Sequence, residues 1–366
     1  MEGDLIKLNE WLTPLSWVYR LGVGIRNTMF ELGILTSKSY DVPIVSIGNI
    51  TAGGTGKTPH TEYLIQLLSQ THRVGVLSRG YKRRSHGYVL AGTDTPMEQL
   101  GDEPWQMKQK FPAVYVAVDK SRRRGIKQLC EDEATRDVEV ILLDDAYQHR
   151  YVTPDINILL VDYHRMITDD RMLPVGRLRE PLKAKERANM VIITKCPHDI
   201  KPMDFRVIQK ALNLRPYQTL FFSSYRYGGM KQLFGNQEMH VDDITKEHSV
   251  LLLTGIASPE QMMIDLKQFT RRITPMAYPD HHYFKPKDIS RINQTFAAMP
   301  QPRIIVTTEK DAARLNCAEG LSEEVRQALY VLPIEVEILR DETKTFNEKI
   351  TGYVLKNPRN SILAKG

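Results

Sequence analysis

VPIVSIGNITAGGTGKTP, residues 42–59, decides how the rest of the chain is read. Val42, Ile44, Val45 and Ile47 make the short apolar run that a buried parallel strand requires. Gly53, Gly54 and Gly56 then allow a tight turn whose N–H groups can point inward at an anion. Lys57 supplies a mobile positive charge for β- and γ-phosphates, and the Thr58 hydroxyl suits a Mg²⁺ ligand. The spacing predicts a helix over 60–69 whose N-terminal dipole lies against the phosphates. The pattern G-x-x-x-x-G-K-[ST] asks for glycine at 51, where this chain has Thr51, and the remaining loop positions are Gly53, Gly54, Thr55 and Gly56. Strand, GK[ST] and helix in this order predict a nucleoside-triphosphate site rather than an ordinary Gly-rich turn.

Working outward, VEVILL (138–143) runs into Asp144 and Asp145 and then AYQH (146–149). An apolar strand tipped by Asp is the Walker B arrangement, in which the carboxylate holds a metal directly or through water. Alone this pattern is weak; beside GGTGKT it gains weight. RVGVLS (73–78) predicts a second strand ending in RGYKRR (79–84), where a basic cluster serves either as a ligand site at a strand end or as a solvated loop. GDEP (101–104) opens a helix, so Asp102 or Glu103 has a helix N-terminal role available. RRR (122–124) reads as a solvated face that touches lipid. LPVGRLREP (173–181), with Arg177 and Arg179, reads as an anion-binding loop or a rigid connector. TKCPHD (194–199) has the wrong spacing for the base-reading loop of GTPases and is set aside.

TGIASPEQM (254–262) follows another apolar strand and begins a second α/β unit without GK[ST]. YPDHHYF (278–284) offers too few ligands for zinc. Strands alternate with helices throughout, which predicts doubly wound parallel sheets: a P-loop NTPase-like α/β fold with a second, smaller α/β domain. The expected divisions are 1–40, an amphipathic N-terminal segment; 41–219, the P-loop domain; 220–340, the second domain with linker strands at its ends; and 341–366, a C-terminal segment.

At 366 residues and 42% hydrophobic residues the chain can bury two cores. Its net charge of +6 suits an anionic substrate, an anionic lipid surface or nucleic acid. Cys130, Cys196 and Cys317 are odd in number and scattered, which fits reduced thiols rather than a disulfide or zinc framework. Residues 5–35 are rich in Leu, Trp, Tyr and Ile, but Pro14, Arg20, Arg26 and Glu31 keep any uncharged run below the ~20 residues that span a bilayer. Two readings stand for this stretch: a helix packed on the domain, or an interfacial helix with Arg20 and Arg26 facing anionic lipid.

In combination, SIGNITAGGTGKTP (46–59), SRGY (78–81), GDEP, DDAYQH (144–149), LPVGRLREP, TGIASP (254–259), DHHYF (280–284) and TTEKDAARL (307–315) resemble the tetraacyldisaccharide 4′-kinase family of the lipid A pathway. That family also carries Thr at the first Walker position; where it usually reads DDGFQH, this chain has Ala146 and Tyr147. The resemblance implies ATP- and Mg²⁺-dependent phosphorylation of the 4′-hydroxyl of an acylated glucosamine disaccharide 1-phosphate. It implies two α/β/α domains joined by a two-stranded linker with the active site in the cleft, the linker candidates being 221–226 and 331–339. Residue by residue, Asp102 resembles the base, with His281 by preference, or otherwise His282, as its partner. Asp144 and Asp145 resemble the metal-side carboxylates beside Thr58. Arg79, Tyr81, Gln148, His149 and Arg177 are the substrate contacts it suggests. A lipid acceptor further implies a peripheral enzyme docked by its N-terminal segment on the cytoplasmic face of a bacterial inner membrane, with no nucleic acid or obligate protein partner.

Two rivals remain in view. GGTGKT is also the core of the KGGxGK[ST] loop of partition- and chaperone-type ATPases, but those need Lys where this chain has Ala52. A nucleic-acid or anionic-lipid binding module would use RGYKRR and RRR, yet these runs are short and lack interleaved aromatics for stacking on bases.

Overall fold

Apolar runs that are buried from end to end force the sheet to be covered on both faces, and the strands of this chain have that character. The computed structural model describes residues 9–256, 259–279, 282–316 and 318–356. These fall into two compact units, divided at Tyr225/Arg226 and at Glu335/Val336.

The strands in chain order are β1 Ile44–Gly48, β2 Val74–Ser78, β3 Val89–Leu90, β4 Tyr115–Val118, β5 Val140–Asp144, β6 Ile156–Asp162, β7 Met190–Thr194, β8 Thr219–Tyr227, β9 Met230–Gln232, β10 Glu238–Met239, β11 Ser249–Thr254, β12 Ile273–Ala277, β13 Arg303–Thr308, β14 Leu329–Leu332 and β15 Ile334–Ile338. The helices are α1 Thr13–Glu31, α2 Lys57–Leu68, α3 Met97–Leu100, α4 Asp102–Lys110, α5 Arg122–Glu131, α6 Pro202–Leu212, α7 Glu260–Leu266, α8 Pro286–Ala297, α9 Glu309–Leu315, α10 Glu323–Ala328 and α11 Thr343–Lys356.

The first unit is built on a nine-stranded sheet in the order β15-β8-β7-β6-β1-β5-β2-β4-β3. From β8 to β4 each neighbouring pair is parallel, the short β3 turns antiparallel at one edge, and at the other β15 runs against β8, with Leu339 N–H on Phe222 O and Gly228 N–H on Pro333 O. Successive side chains of a strand face opposite ways. Val45 and Ile47 therefore join the α2 residues Leu64, Ile65 and Leu68 and the α11 residues Phe346 and Ile350 in one core. Ile44 joins Leu77, Ile126, Leu129 and Ile141 in the core on the other side. Residues 341–356, expected as part of a separate C-terminal segment, are grouped with this unit, and Phe346 packs edge-on against Phe221 at 5.0 Å between centroids.

The second unit carries a six-stranded sheet, β10-β9-β14-β13-β11-β12, in which β12, β11, β13 and β14 run parallel and the β9–β10 hairpin is antiparallel. The doubly wound α/β expectation is met. The stretch 331–339, read as one strand, is two: Pro333, which has no N–H for a ladder, separates β14 in the second sheet from β15 in the first.

Helix α1 buries only Ser16 and Phe30 and turns Leu15, Trp17, Val18, Leu21 and Ile25 outward, with Trp11 exposed in the turn before it. Among the described residues no helix is long and apolar enough to cross a membrane.

Candidate active site

In parallel α/β sheets ligands bind outside the carboxyl ends of the strands. Here the tips of β1, β2, β5 and β7 carry the loop after Gly48, Ser78, Asp144 and Thr194. The loop after β1 bends at Gly53 and Gly56, whose φ values of +122° and +81° suit residues without a Cβ. Helix α2 starts at Lys57, earlier than the predicted residue 60, because Pro59 in the first turn gives up only an N–H that has no helical partner there. Thr51 needs no glycine: it is extended and bridges to Leu178, with Ala52 N–H donating to Arg177 O (2.7 Å) and Arg179 N–H to Ile50 O (2.7 Å). LPVGRLREP is thus a second rail of the phosphate loop. A Cβ on Gly53 would stand 3.6 Å from Arg177 Nη1, so this exposed guanidinium lies beside the loop.

Beneath the loop, buried Asn49 donates Nδ2–H to Thr55 Oγ1 (2.7 Å), and its carbonyl accepts from Gln148 Nε2. Thr194 donates to Thr55 O (3.0 Å), while Lys195 bridges Gly54 O and Asp162 Oδ2. TKCPHD, set aside on its spacing, therefore supplies a loop-supporting lysine; only the register of β7 beside β6 shows it.

Asp144 is buried, accepting from Thr61 Oγ1 (3.2 Å) and Ser78 Oγ (3.0 Å). Burial pushes its carboxyl up to about 6, reinforced by the negative charges of Glu103 and Asp145. Glu103, in the first turn of α4 beside Asp102, thus brings its charge within reach of the Asp144 carboxyl. Asp145 sits in the left-handed region (φ +47°) and lies 3.6 Å from Lys57 Nζ and 4.0 Å from Arg179 Nη1. Asp144, Asp145 and Lys57 are brought together as expected of a phosphate site.

The substitutions in DDAYQH are accommodated. Tyr147 is buried, its extra hydroxyl donates to Ala184 O (2.7 Å), and Arg187 lies over its ring. A Cβ on Gly48 would come within 2.9 Å of Tyr147, so the two segments pack backbone to backbone.

Asp102 is 8% exposed at the start of α4. Its loop packs on SRGY: a Cβ on Gly101 would lie 2.8 Å from Tyr81 O, and one on Gly80 would lie 2.8 Å from Leu100 O. The basic runs divide by role. Arg79 and Tyr81 are exposed, whereas Arg83 braces its own loop through Ser85 Oγ and Val118 O. RRR is a solvated face at Arg123 and Arg124 but not at Arg122. Arg122 is buried with Nη1 on Asp119 O (2.7 Å) and Nη2 on Asp144 O (3.0 Å), and Arg124 grips the Asp119 carboxylate; Arg123 alone of the three is exposed without such a grip. Arg26, expected at a lipid surface, donates to Gln148 O (2.9 Å). His149 is held down to about 4 by burial and by the cations Arg122, Arg26 and Arg79 around it.

In the second unit His282 Nε2 lies 2.8 Å from Asp288 Oδ2, and its ring stacks on Tyr278 at 4.7 Å. His281, Asp280, Ala257, Ser258, Cys317 and the ends 1–8 and 357–366 lie outside the described residues. Among the described residues no group of three or more His, Cys, Asp or Glu is arranged to hold a metal by itself.

The family model LpxK: Tetraacyldisaccharide-1-P 4'-kinase matches residues 8–354. A tetraacyldisaccharide 4'-kinase of Phocaeicola vulgatus is 52% identical over 363 residues, 99% of each chain. That of Bacteroides thetaiotaomicron is 50% identical over 374 residues, covering 100% of this chain and 98% of its own. A crystal structure of "apo" form LpxK from Aquifex aeolicus in complex with ATP is similar with a TM-score of 0.72 at 28% identity, covering 94% of this chain and 99% of that one.

Proposed function

The chain belongs to the tetraacyldisaccharide-1-P 4'-kinase family, and from that premise we propose how its residues move the γ-phosphoryl group of ATP to the 4′-hydroxyl of a tetraacyldisaccharide 1-phosphate. Phosphoryl transfer asks the protein to position two reactants and to neutralise charge. The loop from Thr51 to Thr58, with Gly53, Gly54, Thr55 and Gly56 at its turn, seats the triphosphate, and Lys57 and Arg177 meet its charge. Thr58 and Asp145, with Asp144 behind them, hold Mg²⁺. The fit rests on Asp145 Oδ1, a buried oxygen with no hydrogen-bond partner, and on the crowding of Asp144 by two carboxylates, both of which a cation relieves. Bound there, Mg²⁺ offsets the negative charge of the phosphates. Two protein carboxylates with phosphate oxygens are a usual donor set for this ion.

Asp102 takes the proton of the attacking hydroxyl, as a carboxylate within reach of it can. Arg79 and Arg26, with Tyr81, Gln148 and His149 beside them, meet the anionic acceptor; the cations Arg122, Arg26 and Arg79 around His149 make a surrounding that an anion balances. The outward face of α1, with Trp17 68% and Leu21 64% exposed, docks the enzyme on the membrane that holds the acceptor.

The observation that carries this reading is the grouping of Lys57, Asp145 and Asp144 at one strand edge. Its test is transfer of label from γ-labelled ATP to the tetraacyldisaccharide 1-phosphate in detergent with Mg²⁺. Labelled lipid that depends on Lys57 and Asp102 supports it. ATP consumption without labelled lipid would turn the assignment to a partition-type ATPase, and no consumption at all would refute the kinase.

A further inference from the structure

His60 has no part in the phosphate-transfer scheme, yet it is among the most enclosed polar residues of the first unit, at 3% exposure. It stands one helical turn after Gly56, the left-handed residue on which the phosphate loop turns into α2. Gly56 O receives two groups from it. The backbone N–H of His60 reaches it at 3.3 Å, a long helical bond, while the imidazole Nδ1 lies at 2.7 Å. A carbonyl only accepts, so Nδ1 carries the proton and Nε2 is left as an acceptor. Ser223 Oγ fills that role as donor at 2.9 Å, nearer than its alternative acceptor Ile193 O at 3.4 Å.

Strand alternation puts Tyr225 on the same face of β8 as Ser223, and it too meets the loop. A Cβ on Gly56 would fall 2.1 Å from Tyr225 Oη and 3.5 Å from His60 Nδ1. Gly56 is therefore enclosed by His60 and Tyr225, and Ser223 anchors that enclosure to β8.

We propose that His60, oriented by Ser223 and backed by Tyr225, is a positioning residue for nucleotide binding: its Nδ1–H fixes the Gly56 carbonyl and with it the turn that presents the loop to the triphosphate. This rests on the assignment of the loop to ATP. The device acts through Gly56, so its loss weakens ATP binding and leaves the acceptor untouched.

The test compares His60→Leu, which removes both ring nitrogens, with His60→Asn, whose Nδ2–H occupies the position of Nδ1–H, and with Ser223→Ala. ATP affinity is read by calorimetry with Mg²⁺, KM is measured separately for ATP and for lipid, and the melt is taken without ligand. Loss of one buried hydrogen bond predicts about tenfold weaker ATP binding in His60→Leu. The lipid KM should stay unchanged, and His60→Asn should bind more tightly than His60→Leu. Equal ATP affinity in wild type and His60→Leu overturns the proposal, as does equal weakening in Leu and Asn, which marks a space-filling role. If His60→Leu does not fold, Ser223→Ala decides: weakened ATP binding supports the proposal and unchanged binding overturns it. Wild-type protein that binds no ATP would instead refute the kinase assignment itself.

Discussion

Lys57 Nζ lies 3.6 Å from Asp145 Oδ1, so the cation of the phosphate loop and the residue beyond the tip of β5 form an ion pair. Asp145 also holds a left-handed backbone, φ +47°, which Asn tolerates and Ala does not. Lys57→Met should lower kcat by roughly 10²–10³-fold, as loss of one charge-stabilising group does. Asp145→Asn should lower kcat with an unchanged melting temperature, whereas Asp145→Ala should lower both. Steady-state transfer assays alongside thermal melts decide; wild-type kcat in Lys57→Met would remove the loop from the chemistry.

Asp144 sets a pH dependence. Its carboxyl is raised to about 6 by burial and by Glu103 and Asp145. A carboxyl raised in the folded state stabilises that state fully below its unfolded value of about 4 and loses the contribution as pH rises through about 6. Without metal and nucleotide, Asp144→Asn should therefore melt higher than wild type at about pH 7.5, and the gap should shrink towards about pH 4.5. A gap of constant size would show that Asp144 is not strained by its ionised form.

Asp102 and Glu103 are neighbours with separable effects. Asp102→Asn should cut kcat by about 10²–10⁴-fold, the usual range for loss of a general base, while ATP affinity holds. Glu103→Gln removes a charge that raises Asp144, so the acid limb of the kcat/KM profile should move to lower pH. Unchanged kcat in Asp102→Asn would leave that residue as a helix N-terminal carboxylate.

Helix α1 is anchored by Ser16, Phe30 and the Arg26 contact to Gln148 O, so removing it whole would damage the first unit. Trp17→Glu with Leu21→Glu alters only exposed positions. The pair should reduce sedimentation with anionic vesicles and activity on vesicle-held acceptor, with the melt and the detergent activity unchanged. Equal vesicle binding would dismiss α1 as the docking face.

Arg122 and Arg123 should part company. Arg122→Ala takes a buried guanidinium from Asp119 O and Asp144 O and should cost about 2–3 kcal/mol, the scale of hydrogen bonds to a charged group. Arg123→Ala, at an exposed position, should stay within about 0.5 kcal/mol of wild type. Urea unfolding of both variants checks this.

What the sequence by itself determined is local. A strand of Val and Ile, glycines at 53 and 56 and the Lys57-Thr58 pair specify a strand, a turn and a helix start within one short stretch. Asp144 and Asp145 follow their apolar strand directly. Backbone freedom and apolar periodicity act over a few residues, so such features are legible in order along the chain.

The tertiary structure decided everything that depends on which strand lies beside which. Thr51 is acceptable because residues 177–179 pair with the loop, and Lys195 serves Gly54 because β7 lies next to β6. Arg122 changed from a solvated charge to a buried brace because α5 packs under the tip of β5. His60 found Ser223, 163 positions away in sequence. Strand register and crossover set these meetings, and both arise from the packing of whole faces rather than from any local pattern of residues.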